Sequence, residues 1–161
     1  MRATLVTFGS RGDAEPFRAL AARMAADGHA VRLVSHAPFV ADPPPGVEPR
    51  PVRGRSVREL MDAPEGRALV AGVRNPLRAV RRLATFLEPE LRLLYADTAA
   101  GVAGADVVVC SPATFPALHA AEAAGVPVVQ AQLQPLVPTG AFPAPVAWAR
   151  WFLSWAQNSA L

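Results

Sequence analysis

The sequence predicts an α/β domain built on a doubly wound parallel sheet, and three observations carry that prediction. Short apolar, β-branched runs at residues 3–8, 29–35, 106–111 and 126–133 have the length and composition of strands buried on both faces. The stretches between them hold apolar residues at helical spacing, and alternation of this kind builds parallel strands through right-handed crossovers. The first strand runs straight into a glycine-rich turn and a helix start, Gly9-Ser10-Arg11-Gly12-Asp13.

Taken in order, residues 3–8 (ATLVTF) form the first strand. Phe17, Leu20, Ala21 and Met24 then fall at i, i+3, i+4 and i+7, with Asp13 expected as N-cap, Pro16 in the first turn and Gly28 just past the end. Residues 29–35 make a second strand, completing a βαβ unit. After the stiff loop 42–46 (DPPPG), residues 47–52 add a short edge strand, because Pro49 and Pro51 cannot donate to a ladder on both sides. Ser56 with Glu59 has the form of a capping box opening a helix to about Val73. Asn75-Pro76 starts a longer helix whose stripe is Leu77, Val80, Ala84, Leu87, Leu91 and Leu94, with a kink expected at Pro89. Residues 106–111 are the third core strand, 116–124 a helix closed by Gly125, and 126–133 the fourth core strand. A proline-rich loop at 134–145 leads to a last helix with Trp148, Trp151, Phe152 and Trp155 on one face. The expected division is a domain at 1–145 and an apolar terminal helix at 146–161.

Composition narrows the function classes. Of 161 residues 52% are apolar and 18% charged, enough apolar side chain to build a core. Lysine and isoleucine are absent while alanine occurs 33 times, which reads as the codon bias of a GC-rich, bacterial genome. The net charge of +3 is ordinary for this length. Nine arginines face three acids across residues 50–82. That balance suits a solvated face, an anionic substrate or a membrane surface; without interleaved aromatics for base stacking, it argues against nucleic acid. The single Cys110 excludes an internal disulfide and a cysteine metal cage, and a reducing, cytoplasmic compartment fits best. No signal segment or membrane span is evident, so any membrane contact should be peripheral.

In such sheets ligands bind beyond the carboxyl ends of the strands. The first loop there leads into a helix N-terminus, whose amides and dipole favour anions. Gly12 permits close backbone approach, Ser10 offers a hydroxyl, and Arg11 a forked contact for phosphate or carboxylate. The glycine spacing does not satisfy G-x-G-x-x-G, which disfavours dinucleotide binding. Asp13 either caps the helix or acts as a general base toward a substrate hydroxyl, and the residues alone leave both open. His36, just past the second strand, is a ligand candidate on the same rim. His29, His119 and Cys110 read as structural.

The segment Gly9 to Pro16, followed by Leu20-Ala21 and Gly28-His29-Ala30-Val31, resembles the N-terminal signature of GT-B glycosyltransferases, with sterol and lipid glucosyltransferases and antibiotic-tailoring enzymes the nearest in pattern. Gly104 to Val109, Ala121-Glu122 with Gly125 to Val129, and Gln134-Pro135 through Pro138-Thr139 to Phe142 and Pro145 are similar in order and spacing, while residues 40–75 match poorly. The resemblance implies a Rossmann-like acceptor-binding half of a two-domain molecule. It implies Asp13 as the base that deprotonates the acceptor and Ser10, Arg11 and Gly12 facing the donor diphosphate. The acceptor pocket would take in His36, Pro138, Thr139 and Phe142. It further implies an inverting hexosyl transfer from a nucleotide-diphosphate sugar as co-substrate to a lipid-like or polyketide-like hydroxyl, with no metal and no resident cofactor. The donor-binding half is missing, so the expectation is a truncated or split enzyme, inactive without a donor-binding domain or partner chain. The alternative is a non-catalytic binding or interaction module using the same crevice.

Overall fold

The computed structural model describes residues 1–70, 76–112 and 114–133. Met1–Ala131 form one compact unit, which is described below. Its strands are β1 (Arg2–Val6), β2 (Ala30–His36), β3 (Val47–Val52), β4 (Val107–Cys110) and β5 (Val128–Gln130), and its helices α1 (Arg11–Ala26), α2 (Ala37–Val40), α3 (Val57–Asp62), α4 (Pro64–Val70), α5 (Pro76–Val102) and α6 (Phe115–Ala124).

All neighbouring strands pair in parallel, in the order β3-β2-β1-β4-β5. The expected doubly wound sheet is therefore present. Side chains alternate across it as the pleat requires. Ala3, Leu5, Val31, Leu33 and Val109 pack with Phe17 and Ala21 of α1 and Val40 of α2. Val6, Val34, Val108 and Cys110 pack on the other face with Leu94 and Val102 of α5 and Ala117, Ala120 and Ala121 of α6. The strand order reverses between β1 and β4. Beyond that point the chain leaving β1 turns to the α1 face and the chain leaving β4 to the α6 face, which opens the crevice typical of this topology.

Several expected boundaries move. Ser10, not Asp13, is the N-cap of α1; Asp13 is the third helical residue, and its carboxylate accepts from the Ser10 main-chain N–H at 2.8 Å. The helix expected from Ser56 to Val73 is two helices within the described residues. Ala63 takes an extended conformation, ψ 148°, because the ring of Pro64 disfavours helical backbone in the residue before it. The capping box at Ser56 and Glu59 is present, with the Glu59 carboxylate 2.6 Å from the Ser56 N–H. α5 runs as one helix through Pro89. Among the described residues its buried positions run Glu90, Leu94, Thr98 and Val102, four apart, with Gly101 beside the last, whereas Leu91 is 43% exposed. Of the stripe read from the sequence, Leu94 is buried and Leu87 half-buried while Ala84 and Leu91 are exposed; the side chains of Leu77 and Val80 lie outside those described. The last strand shortens to three residues, and the four-residue α2, with Pro38 in its first turn, was not expected. Asn75 as a cap, the loop at 134–145 and the tryptophan-bearing helix lie outside the described residues.

Two carboxylates of α5 fix the chain leaving β3. Glu90 accepts from Arg55 N at 2.8 Å and Nε at 2.7 Å, and Asp97, two turns further on, accepts from Arg53 N at 2.6 Å and from its guanidinium. At Gly54, φ +99°, a side chain would meet Glu90 Oε2 at 3.0 Å, so the turn requires glycine on both counts.

Candidate functional site at the carboxyl ends of β1 and β4

The chain leaves β1 through Thr7 and Phe8, turns at Gly9 and enters α1. Gly9 has φ +132°, and a Cβ there would sit 2.5 Å from Asp13 Oδ2. The Asp13 carboxylate therefore lies directly over the turn, where only a hydrogen fits. Ser10 N–H and Ser10 Oγ each donate to Asp13 Oδ2 at 2.8 Å, while Oδ1 accepts nothing among the described residues. Thr7 Oγ1, from the strand end below, donates to the Asp13 carbonyl at 3.1 Å. One carboxylate oxygen is thus held in place and the other is left for a guest.

Arg11 projects from the first helical turn with its side chain 84% exposed, paired to Glu15 at 3.3 Å. Gly12 contacts only Ser10 Oγ with its would-be Cβ, at 3.6 Å. The exposed Arg11 guanidinium is the group this helix start offers an anion, since the Ser10 N–H and hydroxyl and the Asp13 and Ala14 N–H groups already have acceptors. The helix itself is anchored by Arg18, whose guanidinium donates to the Phe39 and Asp42 carbonyls at 2.6 and 2.7 Å and so holds α2 against it.

His36 sits at the end of β2 but on the other face of the sheet. Its ring packs against Phe8, centroids 5.6 Å apart, and is 5% exposed. Burial pushes its pKa below the ordinary value, with Glu59, the Gly54 carbonyl and Glu90 pulling the other way. Glu90 is itself held below the usual carboxylate range by the Arg55 N–H and guanidinium. The structure therefore brings Ser10, Arg11, Gly12 and Asp13 together and places His36 in a separate pocket with Phe8, Gly54, Glu59 and Glu90. Pro138, Thr139 and Phe142 lie outside the described residues. Cys110 is fully buried and burial raises its thiol pKa, which removes it as a nucleophile.

Sequence reasoning missed Glu90 and Ser111. Glu90 falls four residues from both Phe86 and Leu94, and a carboxylate in that apolar register was the available signal. Ser111 follows β4, where its N–H donates to the Val6 carbonyl at 3.2 Å and its carbonyl accepts from Thr114 N at 3.1 Å. Its hydroxyl is buried and without a partner among the described residues.

Residues 3–143 match the glycosyltransferase family 28 N-terminal domain. The chain belongs to that family. As a family 28 N-terminal domain it is 32% identical over 157 residues to the sterol 3-beta-glucosyltransferase UGT80B1 of Arabidopsis thaliana, covering 91% of this chain and 25% of the relative. It is 31% identical over 144 residues to the sterol 3-beta-glucosyltransferase of Neurospora crassa, covering 89% of this chain and 9% of that one. The chain thus spans a quarter or less of these relatives. Among solved structures the domain superposes on the calicheamicin glycosyltransferase CalG4 with a TM-score of 0.62 at 18% identity, over 99% of this chain and 37% of that one. The Streptomyces sp. SF2575 glycosyltransferase SsfS6, solved with thymidine diphosphate, gives 0.57 at 15% identity over 82% and 38%. These likenesses establish the fold, and with the family match they bear out the GT-B N-terminal half read from the Gly9 to Pro16 segment.

Proposed function

We propose that this chain is the acceptor-side half of an inverting glycosyltransferase that moves a hexosyl group from a nucleotide-diphosphate sugar to the hydroxyl of a sterol-like or polyketide-like acceptor. The observation that carries the reading is Asp13: a carboxylate fixed through Oδ2 by Ser10, with Oδ1 accepting nothing among the described residues, where the strand order reverses. In the proposed step the acceptor hydroxyl gives its proton to Asp13 Oδ1 while its oxygen attacks the anomeric carbon. The anomeric C–O bond to the diphosphate breaks, and the nucleoside diphosphate leaves with the bonding pair. Arg11 and the first-turn amides of α1 would face the charge that develops on the diphosphate, while Ser10 holds Asp13. The relatives' activity, sterol glucosylation, supports a sterol as the acceptor class. Most donor contacts belong to a second lobe, and the chain alone is expected to bind acceptor with negligible turnover.

The test is transfer of labelled glucose from UDP-glucose or TDP-glucose to a 3β-hydroxysterol, with the chain alone and with a donor-binding lobe supplied. Transfer should require the lobe, and Asp13→Asn should lower it at least about 100-fold, as loss of a positioned base does. Robust transfer by the chain alone, or full activity of the Asn variant, would refute the reading.

A second reading concerns membrane contact. No helix among the described residues is long and apolar enough to cross a membrane. Leu91 and Tyr95 of α5, 43% and 40% exposed, line an open groove of about 610 Å³ on the same helix as the exposed Arg81, Arg82 and Leu83. That groove shares no residue with the start of α1, and its charged residues Glu88 and Arg92 pair with each other, so it suits a surface better than a reaction. Salt-sensitive binding to phosphatidylserine vesicles is the expected outcome, and indifference to vesicle charge would exclude it.

A further inference from the structure

We infer that the Ser111 hydroxyl is a binding contact for the acceptor's own hydroxyl, a specificity determinant on β4 that works beside Asp13. The inference rests on the reading of this chain as the acceptor half. It begins from the register. Val6 of β1 lies opposite Val34 of β2 and Cys110 of β4. The ladder continues one residue further, since Thr7 N donates to the Val34 carbonyl and Ser111 N to the Val6 carbonyl. Ser35, Thr7 and Ser111 therefore form a row across the ends of three adjacent strands. By the alternation of the pleat they share the face on which Leu33, Leu5 and Val109 meet α1.

All three hydroxyls are buried, with residue exposures of 1%, 1% and 3%. A buried hydroxyl is destabilising unless it is hydrogen-bonded, so each should have a partner. Ser35 Oγ donates to the Thr7 carbonyl at 2.7 Å, and Thr7 Oγ1 to the Asp13 carbonyl at 3.1 Å. Ser111 Oγ has none, and it is the one buried side-chain oxygen or nitrogen so placed among the described residues. It stands on the strand that borders β1 where the order reverses, next to the threonine that ties the sheet to Asp13.

The chemistry of the missing partner follows from what surrounds it. An anionic guest at this spot would be opposed by the Asp13 carboxylate. A neutral hydroxyl carries one donor and two acceptor sites, so it can give its proton to Asp13 Oδ1 and accept from Ser111 Oγ at once. That pairing sets the direction of the O–H bond toward the base. An unsatisfied polar group kept at a site is also what a functional residue leaves behind when stability alone would favour alanine.

The experiment measures binding of a 3β-hydroxysterol and of its 3-deoxy counterpart, both delivered in cyclodextrin, to the 161-residue chain and to Ser111→Ala, together with the thermal midpoint of each protein. The unaltered chain should prefer the hydroxysterol. Ser111→Ala should weaken the hydroxysterol about five- to tenfold, leave the deoxy compound unchanged, and keep or raise the midpoint because the orphan hydroxyl is gone. Ser111→Cys, with the same shape and a weaker donor, should show the same selective loss, which keeps the test informative should the alanine variant fold poorly. Equal effects on the two sterols, no effect on either, or a lower midpoint with the preference intact would overturn the role of Ser111 while leaving the acceptor-half reading standing. No preference in the unaltered chain would overturn both.

Discussion

Asp13 and Gly9 form a single device, because the carboxylate occupies the space that any side chain at residue 9 would claim. Gly9→Ala puts a Cβ 2.5 Å from Asp13 Oδ2 on a backbone with φ +132°. The expected result is a loss of transfer as large as that of Asp13→Asn, measured with the donor lobe present, and a destabilisation of about 1–3 kcal/mol by urea unfolding from the strained backbone. Retained activity in Gly9→Ala would mean that the carboxylate can work from another position. Glu90 is the second residue whose environment predicts a measurable effect. Its side chain is 11% exposed, and it satisfies both the main-chain N–H and the guanidinium of Arg55. Glu90→Ala should cost about 1–2 kcal/mol, since the part-buried Arg55 N–H then loses its acceptor. An unchanged urea midpoint would show that water takes over the Arg55 contacts.

At the scale of elements, α5 approaches β2 closely through Gly101. A Cβ there would lie 2.7 Å from Val34 Cγ2, and the Gly101 carbonyl accepts from buried Thr4 Oγ1 at 3.0 Å. Gly101→Ala forces the helix off the sheet and should destabilise by about 1–3 kcal/mol, read from the urea midpoint, with the far side of the sheet unaffected in hydrogen exchange. The same helix shows where sequence periodicity misleads. Leucines at 3-and-4 spacing suggested one face, of which Leu94 is buried and Leu91 exposed, and the buried line is completed by Glu90, Thr98 and Val102. Two polar members of that face are tolerated because each is satisfied, Glu90 by Arg55 and Thr98 by the Leu94 carbonyl. A pattern read from hydrophobicity alone cannot see partners supplied by other elements. The α2 turn escaped for another reason: four residues are too few for a period, and Arg18 of α1 supplies its C-terminal donors from outside.

For the whole molecule, the parallel α/β plan and the turn into α1 were legible because each is written locally: β-branched runs, a glycine turn, and apolar residues at helical spacing. The row of Ser35, Thr7 and Ser111 was not, because it exists only once the register of three strands is fixed. The separation of His36 from Asp13 was hidden for a similar reason, as both follow neighbouring strands but point to opposite faces. That placement sets the acid response. The His36 pKa lies below its ordinary value of 6.5, so the unfolded chain takes up that proton first. Its contribution to stability is complete above about pH 6.5 and drains away as the pH falls toward the folded value. Glu59, Glu90 and Asp97 are held below the usual carboxylate range, so theirs is lost only at lower pH, as it falls through their folded values. Thermal midpoints measured from about pH 7.5 to 5.5 should therefore decline in the natural chain and stay level in His36→Gln. Parallel slopes would place the titrating group elsewhere.

The outer border of the sheet has a consequence for company. β3 runs along that border with β2 on its inner side, and two of its six residues, Pro49 and Pro51, carry no amide hydrogen. A stray peptide arriving there finds rungs absent and lengthens the ribbon poorly. Strand addition is hindered on that flank, which leaves β5, the loops and the helices as the places where another chain can join this domain.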